Sequence, residues 1–194
     1  MKLLDWVAAA VLLLQFPIPV FWLILHPLVG FWRRHMWAGY GLACLSAWGG
    51  VAVFLYAFHE RLFASAGAPP WAIAGGFALI AADGYIISRV ERELGASRLV
   101  GHAELKGSGE LATEGLYARV RHPRYTGMML SVLGACLIAG SLLLWVAAAV
   151  WWVLALVAVS LEERELRARF GAAYEAYRKR VPRFVPFRFR PRGE

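Results

Sequence analysis

The chain has 194 residues, 60% of them hydrophobic and 18% charged, and its mean hydropathy is +0.54. Soluble proteins carry about 45–50% apolar residues, and a domain this small has too much surface to hide the excess; disorder is excluded too, because it requires low hydrophobicity. An integral membrane protein remains, and its formal net charge of +8 becomes informative through where the charges fall.

A spanning helix needs roughly 20 mostly apolar residues to cross hydrocarbon about 30 Å thick. The first such stretch is Trp6 to Val29, where Pro17, Pro19 and Pro27 predict kinks or an early end. It lacks the basic start and small-residue cleavage site of a secretory signal. The second is Ala38 to Phe58, and the third is Trp71 to Ser88, opening after Pro69-Pro70. A polar segment follows, Arg89 to Tyr125; Gly95, Gly101, Gly107, Gly109 and Gly115 punctuate it, which predicts loop and short turns. The last apolar block, Gly127 to Leu161, holds 35 residues. As one helix it would reach about 52 Å, far more than a bilayer needs. A break near Gly140-Ser141 makes it a hairpin instead.

Charge separates these two arrangements. With the hairpin, 19 of the 21 Lys and Arg fall on one side, and only Lys2 and Arg61 lie opposite. With one long helix the split is 9 to 12. The excess of positive charge on cytoplasmic loops favours the hairpin. The expected fold is therefore all-α integral membrane with five transmembrane segments, an outside N-terminus and a cytoplasmic C-terminus. Three spans occupy 1–90, a cytoplasmic loop 91–126, a helical hairpin 127–161, and a cytoplasmic amphipathic helix with a basic tail 162–194. The basic excess, with an isoelectric point near 10.0, reads as a topology signal and a grip on anionic lipid headgroups, not as a nucleic-acid footprint. Cys44 and Cys136 lie in apolar stretches, too few and too far apart for a zinc site or disulfide framework. They read as small core residues, and no metal is expected. Trp6, Trp37 and Trp71, near span ends, read as interfacial anchors.

Two polar segments hold nearly all the reactive groups. The first ends in Gly115-Leu116-Tyr117-Ala118-Arg119-Val120-Arg121-His122-Pro123-Arg124-Tyr125. Pro123 suits the first turn of the following helix, whose N-terminal end is a natural seat for a carboxylate or phosphate. Arg119, Arg121 and Arg124 surround it. In the second segment, Glu162 to Val181, the residues Leu166, Phe170, Tyr174, Tyr177 and Val181 recur at helical spacing, which predicts an amphipathic helix. Glu162-Glu163 joins it to the last apolar arm. Two carboxylates at a membrane boundary, near an arginine-rich loop, suit a zwitterionic or cationic ligand. Each feature also has a plain structural reading: headgroup contacts for the arginines, helix-dipole compensation for the glutamates, and a structural His beside a Pro. Asp83 stands inside the third span, where a carboxylate is costly and marks either a function or a buried partner. It reads as a lining residue of the ligand cavity or as a hydrogen bond to a neighbouring helix. Composition and spacing alone stop at a membrane protein with a charged cytoplasmic pocket.

The stretch Gly115-Leu116-Tyr117…Val120-Arg121-His122-Pro123-Arg124-Tyr125…Gly127, followed by Glu162-Glu163…Leu166…Phe170-Gly171…Tyr174…Tyr177…Val181-Pro182…Pro186, resembles the isoprenylcysteine carboxyl methyltransferase and phospholipid methyltransferase superfamily. The resemblance covers roughly residues 99 to 186. It implies a membrane methyltransferase in the inner membrane of a bacterium, with S-adenosylmethionine as donor and a lipophilic or membrane-partitioning acceptor. It implies cofactor contacts at Leu111, Gly115, Tyr117, His122, Pro123, Tyr125, Glu162 and Glu163. It also implies Arg121 as the residue orienting the acceptor and Glu163 as a base where the acceptor carries a proton. Two positions depart from the pattern: Gly109 stands where the family has a His, with His102 as a substitute, and Ala158 stands where the eukaryotic carboxyl methyltransferases place an Arg. Two other readings are a nicotinamide-dependent membrane reductase of the related sterol reductase type and a non-catalytic lipid-binding scaffold. The paired glutamates argue against the first, and intact Arg121, His122 and Tyr125 against the second.

Overall fold

The computed structural model describes residues 3–25, 31, 34, 36–64, 67–94 and 110–186. Gly95, Gly101, Gly107, Gly109, His102, the Trp37 side chain and the tail 187–194 lie outside the described residues. The rest is helical: α1 (Leu3–Gln15), α2 (Pro17–Leu25), α3 (Met36–Ala57), the short α4 (His59–Leu62), α5 (Pro70–Leu94), α6 (Pro123–Ala139), α7 (Leu142–Phe170) and α8 (Ala172–Arg180), with a 3-10 turn at Gly115–Ala118. Three stretches are long and apolar enough to cross a membrane: Leu3–Ile24, Pro70–Glu93 and Leu142–Phe170. The apolar run Gly41–Ala57 in α3 and the 17 residues of α6 are shorter.

The first stretch divides at Phe16, where Pro17 starts a new helix. Pro19 has no N–H to return to the carbonyl four residues back, which is that of Gln15. That carbonyl is instead taken by the Trp151 indole of α7 at 3.2 Å, and the Phe16 ring stacks on Trp151 with centroids 5.9 Å apart. The proline break is thus exchanged for a tie between helices.

Helix α6 is central. Eleven of its residues are buried, on all sides, as expected of a helix enclosed by others. On one side it meets α5 through small residues. A Cβ at Gly134 would lie 2.5 Å from the Gly76 carbonyl oxygen, and one at Gly76 would lie 2.7 Å from that of Gly134. Such backbone proximity is how helices pack where no hydrophobic force drives them together. The Asp83 carboxylate enters the slot left by the missing side chain of Gly127 and accepts a 2.7 Å hydrogen bond from Gln15 Nε2 of α1. Of the two readings of Asp83, this geometry supports the tie to a neighbouring helix.

The hairpin turns at Gly140-Ser141. Gly140 has φ of 64°, the left-handed conformation that glycine adopts at helix ends, and its N–H returns to the Cys136 carbonyl at 2.9 Å. Helix α7 then buries Leu144, Ala148, Trp151, Ala155, Ala158, Val159 and Glu163. These positions recur at alternating spacings of three and four, so they form one stripe. Its other faces expose Val146, Val150, Val153 and Val157. An apolar surface of that kind suits lipid rather than water.

Two boundaries differ from expectation. The third span was expected to end at Ser88, but α5 continues to Leu94. Arg89 and Glu93, four residues apart and 3.4 Å from each other, favour continuation of the helix. An amphipathic helix was expected over Glu162 to Val181. The structure shows α7 running unbroken through the glutamates to Phe170, where Gly171 at φ of 51° divides it from α8. Five spans are not shown by these helices; three are long enough.

Candidate functional site

The buried stripe of α7 ends in Glu163, which is 1% exposed. A buried carboxylate persists only when paired and hydrogen-bonded. Its partners come from the turn before α6 and from the segment after α8. Arg121 donates from Nε and Nη2 to Glu163 Oε1 at 3.1 and 2.8 Å. His122 Nε2 meets the same oxygen at 3.2 Å. Arg183 donates from Nε to Oε1 at 3.1 Å and from Nη2 to Oε2 at 2.5 Å. The two sequence clusters, 40 residues apart along the chain, therefore meet because the hairpin doubles back.

Arg121 has a second task. Its Nη1 donates to the carbonyls of Arg178 and Val181 at 3.2 and 2.5 Å, capping carbonyls that α8 leaves without helical partners. One guanidinium thus joins the entry of α6, the stripe of α7 and the end of α8. Most of its N–H groups are committed inside the protein.

Glu162 is placed differently. One residue back on the helix it points about 100° away, its side chain is 28% exposed, and it faces His122 Nδ1 at 3.8 Å, beyond hydrogen-bond range. Tyr117 lies close enough that Glu162 adds to the burial that raises its hydroxyl above the ordinary phenol range. Tyr177 donates its hydroxyl to the Tyr117 carbonyl at 2.7 Å. Leu111, Leu166 and Phe170 pack on Tyr174, Tyr177 and Val181. Tyr174 is fully buried; burial first, then the Glu163 charge, push its hydroxyl up to about 12. The phenols around the carboxylates are neutral at ordinary pH.

Pro123 opens α6 at its first position, and Tyr125 is buried with its ring edge-on to His122, centroids 6.1 Å apart. Gly115 adopts φ of 57° against the Glu93 carboxylate, which accepts the Leu116 N–H at 2.9 Å. Among the expected site residues, Leu111, Tyr117, Arg121, His122, Tyr125, Glu162 and Glu163 are joined through these contacts. Gly115 is tethered to α5. Asp83 belongs to the α1–α5–α6 tie, close enough for the Arg124 charge to act on it. The expectation that Glu163 removes a proton finds no support in its geometry, since both oxygens are already held by donors. Two contributors escape a reading of the sequence. Arg183 stands inside the Val181-Pro182…Pro186 stretch, and that position was its only signal. Glu93 was hidden by the expectation of a loop from Arg89 onward.

Comparison with known proteins follows the same residues. The protein-S-isoprenylcysteine O-methyltransferase of Schizosaccharomyces pombe is 40% identical over 79 residues, 39% of this chain and 33% of that protein. The methanethiol S-methyltransferase 2 of Bradyrhizobium diazoefficiens is 42% identical over 71 residues, 37% of this chain and 27% of that protein. The methanethiol S-methyltransferase 1 of the same organism is 32% identical over 115 residues, 58% of this chain and 39% of that protein. The matches thus span between about a quarter and two fifths of these relatives' own lengths. No solved structure matches the chain. Residues 71–173 match the model of the family described as PEMT, phospholipid methyltransferase. That stretch is just over half of the sequence and contains Arg121, His122, Glu162 and Glu163, so the chain belongs to the phospholipid methyltransferase family.

Proposed function

We propose that this protein is an integral membrane methyltransferase that uses S-adenosylmethionine to methylate a lipophilic or membrane-partitioning acceptor. The observation that carries the proposal is the asymmetry of the glutamate pair at the hairpin's open end: Glu163 is locked by Arg121, His122 and Arg183, while the partly exposed Glu162 stands beside it. The donor is cationic at its sulfonium and its ammonium. A partly exposed carboxylate flanked by neutral tyrosines and an apolar wall fits those charges.

When bound, the donor supplies an electrophilic methyl group on sulfur. Glu162 would hold the ammonium, and the positive end of α6 after Pro123, with Arg124 beside it, would hold the donor's carboxylate. Tyr117, Tyr125 and Leu111 offer apolar surface for the adenine. Gly115, pinned by Glu93, sets the path of the chain leading into Tyr117. Arg121 and His122 keep the turn in place through Glu163. Positioning donor and acceptor at near-attack distance is the main requirement of an in-line displacement. With Glu163 saturated and Glu162 engaged, the cluster offers no spare base. This supports an acceptor that arrives deprotonated, a carboxylate or a thiolate, whose charge is neutralised by the transfer. The relatives' names, an O-methyltransferase of isoprenylcysteine and S-methyltransferases of methanethiol, belong to those two classes.

We place the protein in the membrane with five crossings, the shorter α3 and α6 completing the set, the N-terminus outside and the site on the cytoplasmic face. The turn at Gly140-Ser141 supports this, as does the charge asymmetry it creates. Cysteines introduced at Arg61 and at Arg169, in a Cys44→Ala and Cys136→Ala background, are expected to react with a membrane-impermeant maleimide from opposite faces. Labelling of both from one face overturns the topology.

Activity is tested by transfer of labelled methyl from S-adenosylmethionine into an organic extract and by thermal unfolding in detergent. S-adenosylhomocysteine at 100 times its dissociation constant is expected to stabilise by about 2.7 kcal/mol, and Glu162→Gln to raise the donor KM about tenfold, the value of one charge-assisted contact. Absence of both labelled product and stabilisation refutes the proposal. Stabilisation by NADPH in place of S-adenosylhomocysteine transfers the protein to the reductase class.

A further inference from the structure

The residues after α8 lie beyond the stretch that matches the family model, which ends at 173, yet they make some of the closest contacts of the site. Pro182 and Arg183 offer their carbonyls to the N–H groups of Arg121 and His122 at 2.8 and 3.0 Å. The Phe184 carbonyl accepts the Thr126 hydroxyl at 3.0 Å, and the Phe184 ring lies 6.0 Å from that of His122. Val181 receives Arg121 Nη1 at 2.5 Å. Four consecutive residues thus run alongside the Arg121–Thr126 turn and pair with it as a strap. The strap delivers one charged group inward, the Arg183 guanidinium, which takes both oxygens of Glu163. Its side chain remains 36% exposed, so it forms the solvent side of the cluster while Arg121, 10% exposed, forms the inner side.

We propose that Arg183 is a positioning residue of this site: held by the C-terminal strap, it fixes both oxygens of Glu163 and so keeps that carboxylate from competing with Glu162 for a cationic ligand. Arg121 and His122 reach only Oε1. Among the described residues, Oε2 is held by Arg183 alone. Without it, Glu163 keeps a partner on one oxygen and can rotate the other toward the ligand. Two free negative oxygens then stand where the intact site presents one carboxylate. A planar guanidinium secures both oxygens at once, and an ammonium does not.

The proposal rests on the methyltransferase reading, and its test separates the two. In the full-length protein in detergent, Arg183→Gln is expected to raise the KM for S-adenosylmethionine about tenfold, the value of a charge-assisted hydrogen bond, while kcat stays within about twofold. Arg183→Lys is expected to recover only part of that loss. In thermal unfolding, Arg183→Gln and Glu163→Gln are expected to be non-additive, whereas Arg183→Gln and Gly75→Ala, which share no contact, are expected to add. A fall in kcat at unchanged KM, or full recovery by Lys, overturns the assignment of Arg183 as a two-oxygen clamp. Additive unfolding effects of Arg183→Gln and Glu163→Gln overturn it as well, and that measurement needs no activity. Failure of the unaltered protein to transfer methyl removes the methyltransferase reading, and the unfolding cycle then decides alone whether Arg183 holds Glu163.

Discussion

Arg121→Ala is expected to lower stability by about 3 kcal/mol and to abolish methyl transfer. Removing one partner of a buried ion pair costs about 3–5 kcal/mol, because the remaining charge is left without compensation. Here Arg183 and His122 still face Glu163, which places the expected cost at the lower end of that range. The loss is not confined to one pair. The same guanidinium caps the carbonyls of Arg178 and Val181, so α8 and the strap lose their anchor to α6. Arg121→Lys is expected to recover little. A point charge on a flexible stem cannot face Glu163 with one edge and two carbonyls with the other. Glu163→Gln distinguishes charge from shape: the amide fills the same space but leaves Arg121 and Arg183 facing each other without a counter-ion. Thermal unfolding in detergent reads all three variants, and transfer of labelled methyl reads the site. An Arg121→Ala protein with unaltered unfolding and activity would remove the hub from this account.

The parts of this architecture that the sequence displayed were those written as local pattern. The break at Pro17, Pro123 at the start of α6 and the turn at Gly140-Ser141 each follow from backbone restrictions carried by one or two residues. The meeting of Arg121 with Glu163 was legible only indirectly, through the charge asymmetry that required a hairpin. What remained hidden depends on the rotation of helices. Glu162 and Glu163 are equivalent as text, and only the stripe Leu144–Ala148–Trp151–Ala155–Val159 decides which of them turns inward. In a helix that is apolar all round, that stripe cannot be told from the lipid-facing valines by hydrophobicity. Its members are instead marked by size, since alanines recur where α7 approaches its neighbours. Asp83 was conspicuous, yet its partner Gln15 stands 68 residues away on a different helix, and no local signal joins them. Arg183 looked like one of many basic residues near the C-terminus, because the strap that aims it pairs backbone with backbone and leaves no side-chain pattern.

The contact between α5 and α6 gives the second large effect, and two adjacent glycines isolate it. A Cβ at Gly76 would lie 2.6 Å from Ile138 Cγ1 and 2.7 Å from the Gly134 carbonyl oxygen, whereas one at Gly75 would meet nothing within 4 Å. The Ile138 side chain can shift, but the Gly134 carbonyl belongs to the backbone of the opposing helix and can yield only if α6 itself moves. Gly76→Ala is therefore expected to cost about 1–3 kcal/mol, as overpacking does in a tightly packed interior. Gly134→Ala is expected to match it, its Cβ being directed at the Gly76 carbonyl oxygen at 2.5 Å. Gly75→Ala is expected to be neutral or stabilising, since alanine in a helix avoids the backbone entropy cost of glycine. The consequence reaches the site because α6 carries His122 and Pro123 at one end and the Gly76 contact near the other. A helix pushed outward there tilts the turn that holds Glu163. The expected signature is a lower unfolding temperature together with a raised donor KM for Gly76→Ala and Gly134→Ala, and neither change for Gly75→Ala. Equal behaviour of Gly75→Ala and Gly76→Ala would mean that α5 and α6 do not approach through this face, and that His122 is positioned by other contacts.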